Sequence, residues 1–90
     1  MNTMTGYVYI LQSDSGMYYI GSTNNLDRRI DEHLRGKTHT TSRMKNIKLV
    51  FSQEFPSLII ARQIERKIKS WKRKDFIDKI VRDGYIKVSI

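Results

Sequence analysis

Five side chains of this 90-residue chain have types and spacings suited to moving protons and gripping phosphates. Four tyrosines crowd around one turn, in Tyr7-Val8-Tyr9 and Tyr18-Tyr19-Ile20-Gly21, with Tyr9 and Tyr19 ten positions apart. Arg29 follows Tyr19 by ten residues, His33 follows Arg29 by four, and Glu65 lies in the later stretch ARQIERKIKSWKRK. A guanidinium is a fixed fork of donors that matches a phosphate oxygen and stays charged at any relevant pH. Phenol and imidazole pass protons, and a carboxylate can hold a hard cation. Each of these residues also has a structural explanation when taken singly. Strand tyrosines pack, helical arginines face solvent, a helix histidine can be a satisfied polar group, and Glu65 can pair with Lys69 one turn on.

Whether these groups meet depends on the elements that carry them. Tyr7 to Leu11 is rich in aromatic and β-branched residues and reads as a strand, with Met17 to Gly21 as its partner. Asp14-Ser15-Gly16 forms the turn, with glycine in the left-handed position. An odd loop puts Tyr9 and Tyr19 on one face of the sheet, and an even loop separates them. Asn24 or Asn25 can cap a helix that ends at Gly36, with Leu26, Ile30 and Leu34 as its buried stripe. Arg29 and His33 border that stripe, at the edge of the core. Lys37 to Asn46 is a polar, basic loop, and Ile47 to Phe55 is a third strand. Pro56 and Ser57 open a second helix with the stripe Ala61, Ile64, Ile68 and Trp71, and Glu65 lies beside it. Asp75 to Val81 has helical spacing, and Tyr85 to Ile90 alternates as a short strand would. The order β-β-α-β-α-α predicts an α+β fold, a small three-stranded antiparallel sheet flanked by helices.

The length fits one domain over residues 1–90, with its core at about 5–82. Seventeen Lys and Arg against nine Asp and Glu give a net charge of +8. No basic residue precedes Arg28; seven lie from Arg28 to Lys48 and nine from Arg62 to Arg82. Such clustering makes nucleic acid the leading partner, through counterion release, with a merely solvated basic face as the alternative. Without cysteine there is no disulfide and no thiolate metal site. Met1 to Leu11 has no basic region and only a brief apolar run, so the expectation is a soluble cytoplasmic protein with no membrane partner.

Taken together, these motifs resemble those of the GIY-YIG nucleases, and the chain is most similar to their small stand-alone bacterial members. Tyr7-Val8-Tyr9 stands for the first motif and Tyr19-Ile20-Gly21 for the second. Arg29, His33 and Glu65 fall where the family carries its arginine, its His or Tyr, and its glutamate, and Gly21 and Thr23 of GST also match. The resemblance spans about Tyr7 to Ile77. It departs at Tyr7, where the family has glycine, at Ser22, where excision-repair members have lysine, and at Ile77, about where some members have asparagine.

The resemblance implies a metal-dependent endonuclease that hydrolyses phosphodiester bonds of nucleic acid, DNA in preference to RNA, in repair, recombination or processing. It implies Glu65 as the ligand of one Mg²⁺ or Mn²⁺, and the chain offers no carboxylate cluster for a second ion. Arg29 would stabilise the transition-state charge. Tyr9 would be the base or water-positioning group, its pKa lowered by Arg29 and the metal. Tyr19 would orient water and phosphate, and His33 would relay the proton or contact phosphate. Tyr7 and Tyr18 are expected to pack or to flank the substrate. Further nucleic-acid contacts are expected from Ser22, Thr23, Lys37, His39, Arg43, Lys69 and Lys72. A binding module with the same fold and little or no activity is the alternative, and a basic interaction protein a more distant one.

Overall fold

The computed structural model describes residues 5–36 and 46–86. Its elements are β1 (Gly6–Gln12), β2 (Tyr18–Thr23), α1 (Leu26–Leu34), β3 (Lys48–Phe55), α2 (Leu58–Trp71) and α3 (Lys74–Asp83). This is the expected α+β order. β1 lies in the middle of the sheet, in the order β2-β1-β3, antiparallel to both neighbours. Its position explains its composition: Val8, Tyr9, Ile10 and Leu11 are all at most 1% exposed, so both faces of the strand are covered.

The hairpin loop has the expected odd length. Ser13 N–H donates to the Met17 carbonyl, Gly16 N–H donates to the Ser13 carbonyl, and Gly16 has φ +87°, which favours glycine. The resulting register pairs Tyr9 with Gly21 and Leu11 with Tyr19. Residues 9, 19 and 21 therefore share one face of the sheet. On the opposite face, Val8, Ile10 and Phe51 pack with Ala61, Ile64 and Ile68 of α2 and Ile77 and Ile80 of α3. The α2 stripe is as expected, with Trp71 half-buried against the same core.

Capping residues set the helix starts. Asn25 accepts from Arg28 N–H, and Ser57 accepts from Ile60 N–H. α2 ends at Lys72 in the left-handed conformation, and α3 begins two residues later.

The inner face of α1 differs from the expected stripe. Leu26 and Ile30 are half-buried and Leu34 is 58% exposed, whereas His33 is 2% exposed. The imidazole is buried because the sheet supplies it with a hydrogen-bond partner, which removes most of the cost of dehydrating a polar group. Phe76 is also more exposed than its spacing suggested, at 39%, and packs edge-on against Trp71. The proposed strand over Tyr85 to Ile90 lies largely outside the described residues. Of its first two positions, Ile86 is buried and its N–H donates to the Gln53 side chain.

Candidate active site

The site begins with Tyr9, placed by the central strand under α1. Gly21 stands directly across from it, and a Cβ there would collide with the Tyr9 ring and hydroxyl. The glycine of Tyr19-Ile20-Gly21 thus makes room for the phenol of Tyr7-Val8-Tyr9. Tyr19, two positions before Gly21 on the same face, brings its ring centroid to 6.2 Å from that of Tyr9. His33 closes the cluster, at 5.5 Å from the Tyr9 ring and 5.0 Å from the Tyr19 ring.

Hydrogen bonds join the polar atoms of the cluster. Arg29 Nε donates to the Tyr9 hydroxyl oxygen at 3.4 Å, and that oxygen is 2.8 Å from His33 Nε2. The contact runs from the phenol O–H to a bare Nε2 in one tautomer and from Nε2–H to the phenol oxygen in the other, and a neutral imidazole serves either way. Burial and the charge of Arg29 both lower the His33 pKa from the usual 6.5, in keeping with that state. Arg29 is held firmly protonated by its bonds to Tyr9 and Glu32. Glu32 accepts from Arg29 Nη1 at 3.0 Å and so orients the fork.

The Tyr9 pKa runs against expectation. Burial raises it from 10.0 to about 12, outweighing the lowering by the Arg29 hydrogen bond and charge. The expected lowering was for Tyr9 beside both Arg29 and a metal ion; with Arg29 alone desolvation wins, and Tyr9 is a neutral phenol at neutral pH.

Glu65 stands on α2 beside the edge strand β2, where Ser22 meets it. Its side chain is 19% exposed, and its negative charge contributes to the raised Tyr9 pKa. Ser22 donates its hydroxyl to Oε1, and Lys69 Nζ lies 2.6 Å from Oε2. The same ammonium is 5.8 Å from the Tyr19 ring centroid, which ties α2 to the aromatic cluster. A partly buried carboxylate is the kind of ligand a hard divalent cation takes, and here Ser22 and Lys69 engage both of its oxygens. Among the described residues no three His, Cys, Asp or Glu side chains converge as a metal-holding group.

The other expected contacts divide into three groups. Lys69 and Lys72 line a groove of about 670 Å³ between the hairpin and the α2–α3 junction, with Arg73, Lys74, Tyr18 and Tyr19. Ser22 faces Glu65. Thr23 is buried, and its hydroxyl bonds the backbone of Asn25 at the start of α1. Lys37, His39 and Arg43 lie outside the described residues. Tyr18 packs against the core and donates to Asp78 at 2.5 Å. The reading of the chain missed two supports, Gly21 and Glu32. The odd loop already implies that Tyr9 faces Gly21, and Glu32 is three residues after Arg29 on the same helix face.

Among the described residues, no helix is long and apolar enough to cross a membrane. A profile of the GIY-YIG catalytic domain matches residues 5–79. The chain is 38% identical to the UPF0213 protein BH0048 of Halalkalibacterium halodurans over 72 residues, 79% of this chain and 77% of that one. It is 33% identical to the UPF0213 protein BLi00048/BL00536 of Bacillus licheniformis over 89 residues, 93% and 91% of the two chains. The solution NMR structure of the UPF0213 protein BH0048 from Bacillus halodurans superposes with TM-score 0.57 at 34% identity, covering 90% of this chain and 87% of that one. The two-tyrosine hairpin, the Arg29–His33 helix and Glu65 on α2 are thus carried on a matching scaffold, and the chain belongs to the GIY-YIG nuclease family, alongside the small UPF0213 proteins.

Proposed function

We propose that the protein is an endonuclease that hydrolyses phosphodiester bonds of nucleic acid, DNA in preference to RNA, with one divalent cation, Mg²⁺ or Mn²⁺, held by Glu65. The observation that carries this reading is the cluster Tyr9, Tyr19, Arg29 and His33, with Glu65 linked to it through Lys69, whose ammonium touches the carboxylate and lies near the Tyr19 ring. The basic groove beside it supplies the electrostatic attraction for the strand. By family analogy the work lies in DNA repair, recombination or processing.

The side chains divide the chemistry. Arg29 places its fork on a non-bridging phosphate oxygen and offsets the charge that grows there. Attack forms a bond from the water oxygen to phosphorus as the bond to the leaving oxygen breaks. The water proton passes to the Tyr9 oxygen while the Tyr9 proton moves to His33 Nε2, leaving an imidazolium, and the leaving oxygen takes a proton from solvent. Tyr19 orients water and phosphate from the same face. A bound divalent cation would supply charge neutralisation at the phosphate and at the leaving oxygen.

A nucleic-acid binding module with little activity is the second reading. The observation favouring it is that Lys69 already neutralises Glu65. Incubating the protein with labelled single-stranded, duplex and branched DNA and with RNA, in Mg²⁺ or Mn²⁺, separates the readings. Cleavage lost in both Glu65→Ala and Arg29→Ala supports the endonuclease. Salt-sensitive binding without cleavage supports the module, and no binding at low salt rules out both.

A further inference from the structure

We infer that Lys69 is a positioning residue that holds Glu65 as an internal counter-cation, and that it must leave Glu65 for the neighbouring groove before a divalent cation can bind there. The inference rests on the reading of Glu65 as the metal ligand. Both carboxylate oxygens are engaged, Oε1 by the Ser22 hydroxyl and Oε2 by Lys69 Nζ at 2.6 Å. A hydroxyl can keep donating to one oxygen while a cation takes the other. An ammonium at contact distance cannot stay, because like charges in a half-buried site repel strongly. The small cavity beside the carboxylate, about 310 Å³, is lined by Arg62, Arg66 and Lys69, so its electrostatics disfavour a lone dication further.

Lys69 has somewhere to go. It lines both this cavity and the larger groove that holds Lys72, Arg73 and Lys74, and its side chain is 48% exposed. An ammonium on a flexible four-carbon stem can rotate from one to the other. A phosphate in the groove would give it a second anion to bind as it releases Glu65. Metal and nucleic acid then favour each other's binding, and linkage makes that coupling reciprocal.

The test is Mn²⁺ binding to the full chain, read by loss of the free-ion electron paramagnetic resonance signal. Lys69→Met and Lys69→Gln, which keep much of the stem and remove the charge, should each bind Mn²⁺ about tenfold more tightly than wild type. Lys69→Arg should stay close to wild type, and adding Glu65→Gln to Lys69→Met should abolish the gain. Thermal melts of each variant check that it is folded, so that a gain is not binding by an unfolded chain. Unchanged or weaker binding in both neutral variants overturns the inference. So does a gain that survives Glu65→Gln, or one that Lys69→Arg shares in full. Cleavage by wild type that Glu65→Ala abolishes is read separately, so the inference can fail while the proposed function stands.

Discussion

The Tyr9 hydroxyl lies 2.8 Å from His33 Nε2, joining the middle strand of the sheet to a helix residue 24 positions downstream. Arg29 donates to the same oxygen, so one buried phenol sits between a fixed cation and a neutral imidazole. With its pKa near 12 the phenol keeps its proton at neutral pH, while the lowered His33 pKa favours the neutral imidazole. In the proposed reaction such a pair would pass a proton along.

Tyr9→Phe keeps the ring packing and removes the oxygen shared by Arg29 and His33. Under the relay, single-turnover cleavage should fall about a hundredfold or more. The melting temperature should move only by the equivalent of about 1 kcal/mol, the worth of an ordinary buried hydrogen bond. Native-rate cleavage by this variant would remove Tyr9 from the proton path.

The pH profile follows from the His33 shift. Its folded pKa is lowered from 6.5, so on acidification the unfolded chain takes up the proton first. The stabilisation is full above 6.5 and is lost as pH falls through the lower folded value. Urea midpoints measured between about pH 7 and pH 5 should drop in wild type and drop less in His33→Gln. Cleavage should weaken over the same acid limb, because an imidazolium cannot accept the Tyr9 proton. At the alkaline end Tyr9 has the opposite shift, raised from 10.0 to about 12. Its contribution is full below 10.0 and lost as pH rises toward 12, and tyrosinate absorbance should show one fewer late-titrating group in Tyr9→Phe.

Much of this arrangement was legible in the chain because local rules governed it. The parity of Asp14-Ser15-Gly16 decided that Tyr9 and Tyr19 share a face. The Ala61, Ile64, Ile68 spacing decided which side of α2 is buried, and so placed Glu65 at the core edge. α1 obeyed no such rule. Its buried residue is His33, because a phenol 24 positions away on another element makes burial of the ring tolerable. Hydrophobic periodicity carries no signal for a partner of that kind. The burial side of the Tyr9 balance was hidden for a related reason: neighbouring charge is readable from residue types, while desolvation depends on how deeply the ring is buried.

Gly21→Ala tests the cross-strand fit. The added methyl points into the Tyr9 ring and hydroxyl, and neither can withdraw without leaving His33. Overpacking of this kind costs about 1–3 kcal/mol. Stability should fall by that amount, and cleavage should fall further than stability, because Tyr9 is displaced from its relay. A structure of the variant with Tyr9 unmoved would contradict the fit.

The groove between the hairpin and the α2–α3 junction makes a distinction between two adjacent cations. Lys72 and Arg73 both line it, but Arg73 is forked onto Asp75 by bonds of 3.1 and 2.8 Å. A phosphate must compete with that carboxylate for Arg73, and releases fewer counterions in doing so. Affinity for a labelled oligonucleotide, measured across a salt series, should therefore respond unequally. Lys72→Gln should reduce the slope of log affinity against log salt by about one, the mark of a lost phosphate contact. Arg73→Gln should reduce it by less. Asp75→Asn should steepen the wild-type slope, since it frees the guanidinium. Equal effects of Lys72→Gln and Arg73→Gln, with no effect of Asp75→Asn, would mean that the Arg73–Asp75 pair does not survive in the complex.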